Sequence, residues 1–333
     1  MGRFFCFRSR LEIKLVNELV SVIIPAHNRS DFVDEAARSV YHQTYRPIEL
    51  IIVDDLSDKL YTPKIFSEPG FEIKVIRHEE NKGPGASRET GRLAAHGDYI
   101  AYLDSDDLWH PEKLEKQVAM LRAHYDMGMC YSQTILFSKM PLTDDEPYRK
   151  NSDVKFTDFL PVVLNVRPWC TSSCLWTRGA VERIGPWFDG WHYEDVEYDV
   201  RAGCRDIKIA YLPEPLCYYR LSCDGSSLSN SANKFSVGQQ ARSLLQIGKN
   251  LKQFNKIKDE QIQFFFIKRM FKTAFEAINY GDRKSAIKLF WNMIGSSSDI
   301  KNKVIVFLFL CSCLAFPTRV MDSIKYRIKR YIF

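Results

Sequence analysis

Short apolar runs and amphipathic stretches alternate along the first two thirds of the chain. A run of about four to eight apolar, often β-branched residues bounded by polar residues is typical of a buried strand. Apolar residues that recur every three or four positions are typical of a helix with one buried face. The runs predict strands near residues 20–25, 48–53, 72–76, 98–103, 127–132, 172–176 and 208–212. The amphipathic stretches predict helices near residues 31–43, 86–95, 111–124, 178–184 and 194–202.

This alternation predicts an α/β fold, in which a mostly parallel sheet is covered by helices on both faces. Local signals predict where three of the helices begin or end. Ser30 is the expected N-cap of the first helix, Pro111 the first residue of the third, and Gly203 the residue that ends the helix near 194–202. The polar, proline-containing stretch near 138–153 is expected to be a loop.

After Gly225 the pattern becomes helical throughout. Apolar residues recur at helical spacing near 244–251, 267–278 and 286–293. The spacing predicts a helical hairpin appended to the α/β region, with Gly281 ending one helix and Asp282 as the N-cap of the next.

The end of the chain combines an apolar stretch with basic residues. Residues 304–316 are 13 uncharged, mostly apolar residues, too few for a helix that spans a bilayer. The basic residues that follow, interleaved with Ile and Tyr, are Arg319, Lys325, Arg327, Lys329 and Arg330. The mixture suits a helix lying on an anionic membrane leaflet, and it equally suits a core helix with a solvated tail.

Composition adds little beyond a broad class. The 333 residues are 45% hydrophobic and 26% charged, as in ordinary globular proteins, and the net charge of +6 is mild. We expect no nucleic-acid partner, and the charge suits an anionic substrate or membrane surface without deciding between them. The nine cysteines have no regular spacing, and no apolar leader is apparent near the N-terminus, so we expect reduced thiols and a cytoplasmic protein.

Acidic residues follow directly on one of the predicted strands. Asp104 and Asp106, spaced D-x-D, come after the apolar run that ends at Leu103. In open α/β sheets, ligands bind outside the carboxyl ends of the strands. Two carboxylates there suit Mn²⁺ or Mg²⁺, and the cation in turn suits a diphosphate. The alternative is an ordinary solvated acidic turn.

Two further polar clusters follow predicted strands, and together the three describe a nucleotide pocket. One begins at Pro25 and the other is Asp54-Asp55. We expect Asp54 or Asp55 to accept a hydrogen bond from an N–H group of the base. We expect Asp104 to accept hydrogen bonds from the ribose hydroxyls, and Asp106 to bind the metal. Arg88, after a glycine-rich turn, would reach over the base or phosphates. Each residue also has an ordinary structural interpretation, but three clusters at one sheet edge favour a site.

The motifs in combination resemble those of glycosyltransferases of family 2, which have the GT-A (Rossmann-like) fold. The matching stretches cover residues 20 to about 220 and include 20–29, 52–58, 81–88, 101–107 and Glu194-Asp195. The resemblance implies a sugar–nucleotide donor, most often a UDP-sugar, a divalent metal and inversion at the anomeric carbon. It also implies that the nucleotide contacts are Pro25, Ala26, Asn28, Asp54 and Arg88, and that Asp104 and Asp106 form the metal-dependent motif.

The chain departs from the family pattern at two positions. His27 stands where Tyr is usual, and Ser222 stands where the family often has His. If that His serves the metal or a phosphate, its role is open here. Arg220, two residues earlier, is a candidate clamp for the diphosphate.

An inverting transfer needs a base that takes the proton from the acceptor hydroxyl. Asp195 is the predicted base, because it lies at the start of a predicted helix, whose positive end favours the ionised carboxylate. Glu194 is the second candidate. Both acids could instead simply complement the helix N-terminus. Trp187 and Trp191 flank this point, and they are either acceptor-stacking residues or core aromatics.

These expectations divide the chain into four parts. Residues 1–19 are an N-terminal extension, 20–225 a GT-A domain, 226–300 the helical hairpin and 301–333 a membrane-associating tail. Within the GT-A domain, 20–132 is the nucleotide-binding half and 133–225 the acceptor half. The expected activity is transfer of a sugar to a hydroxyl of a glycan or lipid-linked acceptor in surface polysaccharide biosynthesis, at the inner face of the plasma membrane. The sequence does not predict an oligomeric state.

Three other functions share parts of this sequence pattern. A haloacid-dehalogenase-like phosphatase would use Asp104 as nucleophile and Asp106 as acid and base, but it normally carries D-x-D on its first strand. A dinucleotide-binding oxidoreductase needs G-x-G-x-x-G, of which Gly83-Pro84-Gly85 is only a part. A non-catalytic sugar-binding scaffold of the same fold has no need of Asp104, Asp106 and Asp195.

Overall fold

An eight-stranded mixed sheet forms the centre of the protein in the computed structural model, which describes residues 18–140, 147–221 and 233–296. Its first half is wholly parallel, with the spatial order β3-β2-β1-β4. These strands are β1 (Val20–Ala26), β2 (Ile48–Asp54), β3 (Phe71–Arg77) and β4 (Tyr99–Tyr102). Parallel strands are stable when both faces are covered, and β1 is buried along its whole length.

The second half of the sheet mixes both strand directions. Strand β7 pairs antiparallel with β4 and β6, β6 pairs parallel with β8, and β8 pairs antiparallel with the edge strand β5. These strands are β5 (Leu108–Trp109), β6 (Met127–Phe137), β7 (Cys174–Thr177) and β8 (Lys208–Arg220). Strand β4, which precedes the acidic cluster, therefore lies at the centre of the sheet, between β1 and β7.

Helices cover both faces of the sheet, as the alternating pattern predicts. The α-helices up to residue 204 are α1 (Ser30–Tyr41), α2 (Pro84–Ala94), α3 (Lys113–Ala123), α4 (Val162–Asn165), α5 (Arg178–Ile184) and α6 (Glu194–Cys204). The apolar faces of α1 and α3 share one core cluster with the sheet, and those of α5 and α6 share the cluster on the opposite face. The predicted α/β fold is confirmed.

Within the described residues three α-helices follow the sheet, one at each of the three stretches where the sequence predicts helical spacing. They are α7 (Lys234–Gln253), α8 (Glu260–Asn279) and α9 (Arg283–Ser296), and they share one apolar core with Val196 and Val200 of α6. The turn between α8 and α9 is as predicted, since Gly281 has a φ of 76° and Asp282 Oδ1 accepts a hydrogen bond from the Ser285 N–H at 3.2 Å. The helical region is therefore anchored on the helix that begins with Glu194 and Asp195.

Two predicted helix boundaries are wrong. Ser30 is the first residue of α1, and the N-cap is Arg29, which has a left-handed backbone with a φ of 56°. Gly203 lies inside α6, which continues to Cys204. A Cβ on Gly203 would lie 2.7 Å from Leu160 Cγ, so close packing rather than helix termination requires glycine there.

Two predictions near the D-x-D motif also need correction. Helix α3 begins at Lys113, because Pro111 lies in a turn in which the Lys113 N–H binds the carbonyl oxygen of His110 at 3.0 Å. The strand predicted at 172–176 begins only at Cys174, since a 3₁₀ turn occupies Thr171–Ser173.

Strand β8 extends eight residues beyond its predicted end, from residue 212 to 220. Pro213 and Pro215 obscure this strand in the sequence, since proline interrupts a regular ladder. Its register with β6 shifts between Ser132 and Gln133, which is the kind of irregularity that accommodates proline. The extension brings Arg220 back to the D-x-D motif.

The predicted membrane-associating tail, residues 301–333, and Ser222 lie outside the described residues. Within the described ranges, no helix is both long and apolar enough to cross a bilayer.

Candidate active site

The polar clusters meet at one edge of the sheet because their strands are parallel neighbours. In the β1–β2 register Ala26 lies beside Asp54. The Leu103 N–H binds the carbonyl oxygen of Ile23 at 2.9 Å, so β4 delivers Asp104 next to the end of β1. The carboxyl ends of β1, β2 and β4 therefore surround a common region, as expected for a ligand site in an α/β sheet.

Asp54 and Asp55 hold the loops around this region. Asp54 is fully buried, accepts from the Ser57 N–H at 2.9 Å and pairs with Arg77 at 2.6 Å. Burial raises the pKa of Asp54, but the hydrogen bonds from Ser57 and Tyr61 and the charge of Arg77 lower it by more, so its pKa lies below the usual value. This carboxylate is ionised at neutral pH and fixes the loop after β2.

Asp55 is nearly as buried and binds the glycine-rich turn. It accepts from the N–H groups of Lys82 at 2.9 Å and Gly83 at 2.7 Å, and it contacts His78 Nδ1 at 2.7 Å. The predicted hydrogen bond from Asp54 or Asp55 to a base stays a prediction. The structure adds that both carboxylates already organise the pocket wall.

The segment after β1 connects these loops to one another. Pro25 and Ala26 are buried at the end of the strand. The Asn28 N–H donates to Ser57 Oγ at 2.7 Å, and His27 Nδ1 lies 2.8 Å from the carbonyl oxygen of Asp55. His27, which stands where Tyr is usual, is exposed, so the substitution changes the rim of the pocket rather than its interior.

Arg88 joins the two halves of the site. It lies in the first half of α2, its Nη2 donates to Asp104 at 2.7 Å, and its Nη1 donates to Glu194 at 2.8 Å. Its guanidinium carbon lies 5.0 Å from the ring centre of Trp187. Burial alone would lower the pKa of Arg88, but the two carboxylates raise it, so the guanidinium stays charged. Two acidic motifs far apart in the sequence thus meet through one side chain.

Asp104 and Asp106 are the residues that fit a divalent cation. Both side chains are partly exposed, at 30% and 26%, and Asp106 lies 3.1 Å from Arg29. Burial and the negative charge of Asp104 raise the pKa of Asp106, against the charges of Arg29 and Arg220. A divalent cation would relieve this unfavourable negative charge. No group of three metal-ligating side chains occurs within the described ranges, so oxygens of a diphosphate would have to complete the coordination.

Asp107 supports the D-x-D motif from its buried side. It is buried, accepts from Ser172 Oγ at 2.6 Å and accepts from the Arg220 N–H at 3.0 Å. Burial raises the pKa of Asp107 well above its usual range, with the nearby negative groups adding to the effect. Ser172 also accepts from the Asp104 N–H at 3.1 Å, so the turn before β7 orients the whole acidic cluster.

Arg220 reaches the acidic motif but is already engaged there. Its Nε donates to the carbonyl oxygen of Asp106 at 2.8 Å, and its Nη2 pairs with Glu35. The guanidinium lies between the rings of Phe32 and Phe137, 4.6 Å from each ring centre. Its predicted role as a diphosphate clamp stays a prediction.

Asp195 lies in the first turn of α6 and faces the same side as Arg88. Its Oδ2 accepts from Arg167 Nη1 at 2.8 Å, and its Oδ1 accepts from the Val196 N–H at 2.8 Å. Burial raises the pKa of Asp195, but Arg167 and Arg88 lower it by more, so its pKa lies below the usual value. The side chain is 28% exposed, which leaves it accessible from the cleft.

Glu194 differs from its neighbour in environment. Its side chain is 9% exposed and is bound to Arg88. Burial raises the pKa of Glu194 above its usual value, even though Arg88 opposes the change. Of the two predicted catalytic acids, Asp195 is therefore the accessible, ionised one, and Glu194 is a buried partner of Arg88.

The two tryptophans predicted to hold an acceptor have different positions. Trp187 is a core residue, 6% exposed, stacked on Tyr198 at a ring-centre distance of 4.1 Å. The prediction that it stacks on a sugar needs this correction. Trp191 is only half-buried and lies over the glycine-rich turn, where a Cβ on Gly83 would be 2.8 Å from its Cε2 atom. Trp191 remains the aromatic residue of this loop that can face an acceptor.

Sequence reasoning missed several residues at the site. These are Arg29, Asp107, Arg167, Ser172 and Asp199. Their contacts join positions 28 to 77 residues apart, and such pairings leave no local pattern. Asp107 had a weak signal, as the third acid of the cluster.

Comparison with known proteins shows similarity to one family. The model of glycosyl transferase family 2 matches residues 21–169. The UDP-Glc:alpha-D-GlcNAc-diphosphoundecaprenol beta-1,3-glucosyltransferase WfgD of Escherichia coli is 38% identical over 103 residues, 31% of this chain and 41% of that protein. The amylovoran biosynthesis glycosyltransferase AmsB of Erwinia amylovora is 26% identical over 229 residues, 65% of this chain and 75% of that protein.

A solved structure shows the same fold. Residues 1–349 of S. aureus TarS, in complex with UDP-GlcNAc, superimpose with a TM-score of 0.54 at 16% identity. The match covers 88% of this chain and 90% of that one.

Proposed function

We propose that this chain transfers a sugar from a nucleoside diphosphate to an acceptor hydroxyl with inversion at the anomeric carbon. The match of residues 21–169 to glycosyl transferase family 2 and the GT-A fold support the proposal. The proposed donor is a UDP-sugar, and the proposed acceptor is a glycan or lipid-linked saccharide of surface polysaccharide biosynthesis. The names of the relatives support this choice: WfgD acts on a diphosphoundecaprenol-linked GlcNAc, and AmsB serves amylovoran biosynthesis.

One observation carries the proposal. Arg88 binds Asp104 of the acidic motif and Glu194, the neighbour of Asp195, at 2.7 and 2.8 Å. A group transfer needs the leaving diphosphate and the attacking hydroxyl at the same carbon atom. Arg88 provides that proximity, because it ties the metal-binding side of the cleft to the side that carries the base.

The donor side neutralises the leaving group. Asp106, with Asp104, would hold a divalent cation, Mn²⁺ or Mg²⁺, which supplies Lewis-acid stabilisation of the diphosphate. Arg88 adds positive charge from the protein itself. Asp54 and Asp55 keep the loops that surround the nucleotide in place, with Pro25, Ala26 and Asn28 along the remaining wall.

The acceptor side supplies the base. Asp195 takes the proton of the acceptor hydroxyl as the hydroxyl oxygen attacks the anomeric carbon from the face opposite the nucleotide. The bond from that carbon to the diphosphate oxygen breaks, and its electron pair leaves with the nucleoside diphosphate. A carboxylate with a lowered pKa is ionised at neutral pH, as this step requires. Trp191 is the proposed acceptor-stacking residue.

The alternative functions fit the structure less well. Asp104 follows β4 rather than β1 and is bound to Arg88, so it is a poor candidate for the nucleophile of a phosphatase. Gly83 begins α2 as its N-cap but is held by Asp55 rather than presented to a dinucleotide. The ionised, accessible Asp195 has no role in a non-catalytic scaffold.

Donor binding tests the proposed function directly. A ligand that binds the native state at 100 times its Kd stabilises it by about 2.7 kcal/mol. We expect one or more UDP-sugars to raise the Tm in the presence of manganese, and the rise to disappear with excess chelator. Sugar phosphates and NAD, as substrates of the alternative enzymes, are the controls. A rise with NAD or a sugar phosphate and none with nucleotide sugars would overturn the proposal.

We further propose that the tail, residues 301–333, binds an anionic leaflet and brings the cleft near lipid-linked acceptors. Within residues 304–333, which the truncation below removes, the basic residues Arg319, Lys325, Arg327, Lys329 and Arg330, less Asp322, carry a net charge of +4. At about 1 kcal/mol for each basic residue near the surface, the electrostatic contribution is roughly 4 kcal/mol. We expect the full chain to co-sediment with anionic vesicles at low salt and a chain ending at Lys303 to stay in solution. Equal binding by both forms would exclude the tail as the anchor.

A further inference from the structure

Arg167 lies between two aspartates of α6. Its Nη1 donates to Asp195 at 2.8 Å and its Nε donates to Asp199 at 2.6 Å. The two acids are four residues apart, so they project from the same face of the helix. Arg167 itself comes from the segment between α4 and the turn before β7, where no sequence motif marks it.

The guanidinium is fixed from several directions. Asp199 is 1% exposed and also accepts from Trp169 Nε1 at 2.8 Å. Thr171 Oγ1 accepts from Nη1 and Nη2 of Arg167 at 3.4 and 3.3 Å. Asp199 and Thr171 therefore hold Arg167 in one orientation, and one N–H remains directed at Asp195.

We propose that Arg167 is a positioning residue that orients and keeps ionised the carboxylate of Asp195, the general base. This inference rests on the proposed function, because it assigns Arg167 a role only if Asp195 takes the acceptor proton. A base must lie within hydrogen-bond reach of that proton, and a small misplacement is costly to the rate. The other carboxylate oxygen of Asp195, Oδ1, accepts a hydrogen bond from the Val196 N–H of the same helix. Both oxygens are therefore held in place.

Several charged or titratable groups surround Asp195. The groups that interact electrostatically with the Asp195 carboxylate are Arg88, Arg167, His192, Tyr193, Glu194, Asp199 and Arg269. Arg269 comes from α8, and burial lowers its pKa. Arg167 is the group with a direct hydrogen bond to the Asp195 carboxylate, so changing it has the largest expected effect.

The direction in which each substitution shifts the pH dependence of kcat follows from the charge that it removes. Asp195 acts only when ionised, so its pKa defines the acid limb of the kcat profile. An adjacent positive charge lowers a carboxyl pKa by about 1–3 units. In Arg167→Gln the pKa of Asp195 rises, and the acid limb is expected to move to higher pH by about one unit or more. In Asp199→Asn a negative charge is lost, so the limb is expected to move to lower pH.

The experiment compares kcat profiles from about pH 3 to 8 for wild type, Arg167→Gln, Arg167→Lys and Asp199→Asn, because the pKa of Asp195 lies below the usual value of an aspartate, about 3.9. Arg167→Lys keeps the positive charge, so the acid limb is expected to stay near its wild-type pH. The kcat is expected to be lower, because lysine lacks the forked geometry of the guanidinium. Arg201→Gln is the matched control. Arg201 pairs with Glu197 in the same helix, and this pair has the exposure of the Arg167–Asp199 pair, 10% and 1%.

If the role of Arg167 is purely structural, the Tm falls alike in Arg167→Gln and Arg201→Gln, and the acid limb of the kcat profile stays in place in both variants. That result would overturn the proposal. The proposal is supported by opposite shifts in Arg167→Gln and Asp199→Asn with none in Arg201→Gln. If Arg167→Gln does not fold, a downward shift in Asp199→Asn supports the proposal and an unchanged or upward limb overturns it. Full turnover in Asp195→Asn would instead reject the proposed function itself.

Discussion

Replacing Asp195 with asparagine is expected to lower turnover by roughly 10²–10⁴, the usual contribution of a positioned general base. The amide is close in shape but cannot take the acceptor proton. Asp195 contributes no described contact to Asp104 or Asp106, so the Kd of the sugar nucleotide should stay near the wild-type value. Single-turnover rates and donor binding by calorimetry, measured on the same preparation, check both parts.

Glu194→Gln is the control for Asp195→Asn, since it changes the adjacent carboxylate. Glu194 is bound to Arg88, so this variant should lower stability and donor affinity more than the rate of the chemical step. The reverse pattern, with turnover lost in Glu194→Gln and retained in Asp195→Asn, would make Glu194 the base. The raised pKa of Glu194, caused by burial, argues for the first outcome.

Replacing Asp106 with asparagine is expected to abolish the manganese-dependent Tm rise with the donor and to reduce transfer below detection at ordinary donor concentrations. A neutral amide is a weaker ligand than a carboxylate for a hard cation such as Mn²⁺ or Mg²⁺. In the absence of metal the variant should be at least as stable as wild type, since burial and Asp104 disfavour the charge of Asp106. Thermal unfolding with and without manganese measures both effects.

Asp126→Asn, at an exposed position between α3 and β6, is the control for Asp106→Asn and should behave as wild type. Full activity of Asp106→Asn, or of wild type in excess chelator, would show that transfer does not depend on a metal at this motif. Activity that is lost without any change in the manganese-dependent Tm rise would place Asp106 in a later step than donor binding.

The contacts of Arg88 are the reason that Asp195→Asn and Asp106→Asn are both informative. Its guanidinium contacts Asp104 on one side and Glu194 on the other. It does not contact Asp106 or Asp195 by a described hydrogen bond, so each of those carboxylates can be changed without leaving the buried arginine unpaired. Removing one partner of a buried pair typically costs about 3–5 kcal/mol, which is the reason that Glu194→Gln is expected to lose stability and that Asp106 rather than Asp104 is changed to test the metal.

The amino-acid sequence by itself determined the element order and the chemistry available at the strand ends. Apolar runs identify β1, β2 and β4, because a strand buried on both faces has to be apolar throughout. The residues that follow these runs lie at the carboxyl edge of a parallel sheet, whatever the rest of the chain does. For that reason the acidic motif and Asp54-Asp55 could be chosen as site residues from the sequence alone. Asp195 is predicted on other grounds, its place at the start of a predicted helix and the family resemblance.

Only the tertiary structure decided which of these residues are accessible and what holds them. Trp187 and Trp191 are alike in the sequence, yet one is stacked in the core and the other borders the cleft. The contacts of Arg88 with Glu194 and of Ser172 with Asp107 join residues 106 and 65 positions apart. Such pairings depend on how α6 packs against the sheet and how β7 pairs within it, and side-chain identity carries no local signal of either. The same packing sets the opposite pKa changes of Glu194 and Asp195, since burial and charge are properties of the folded chain.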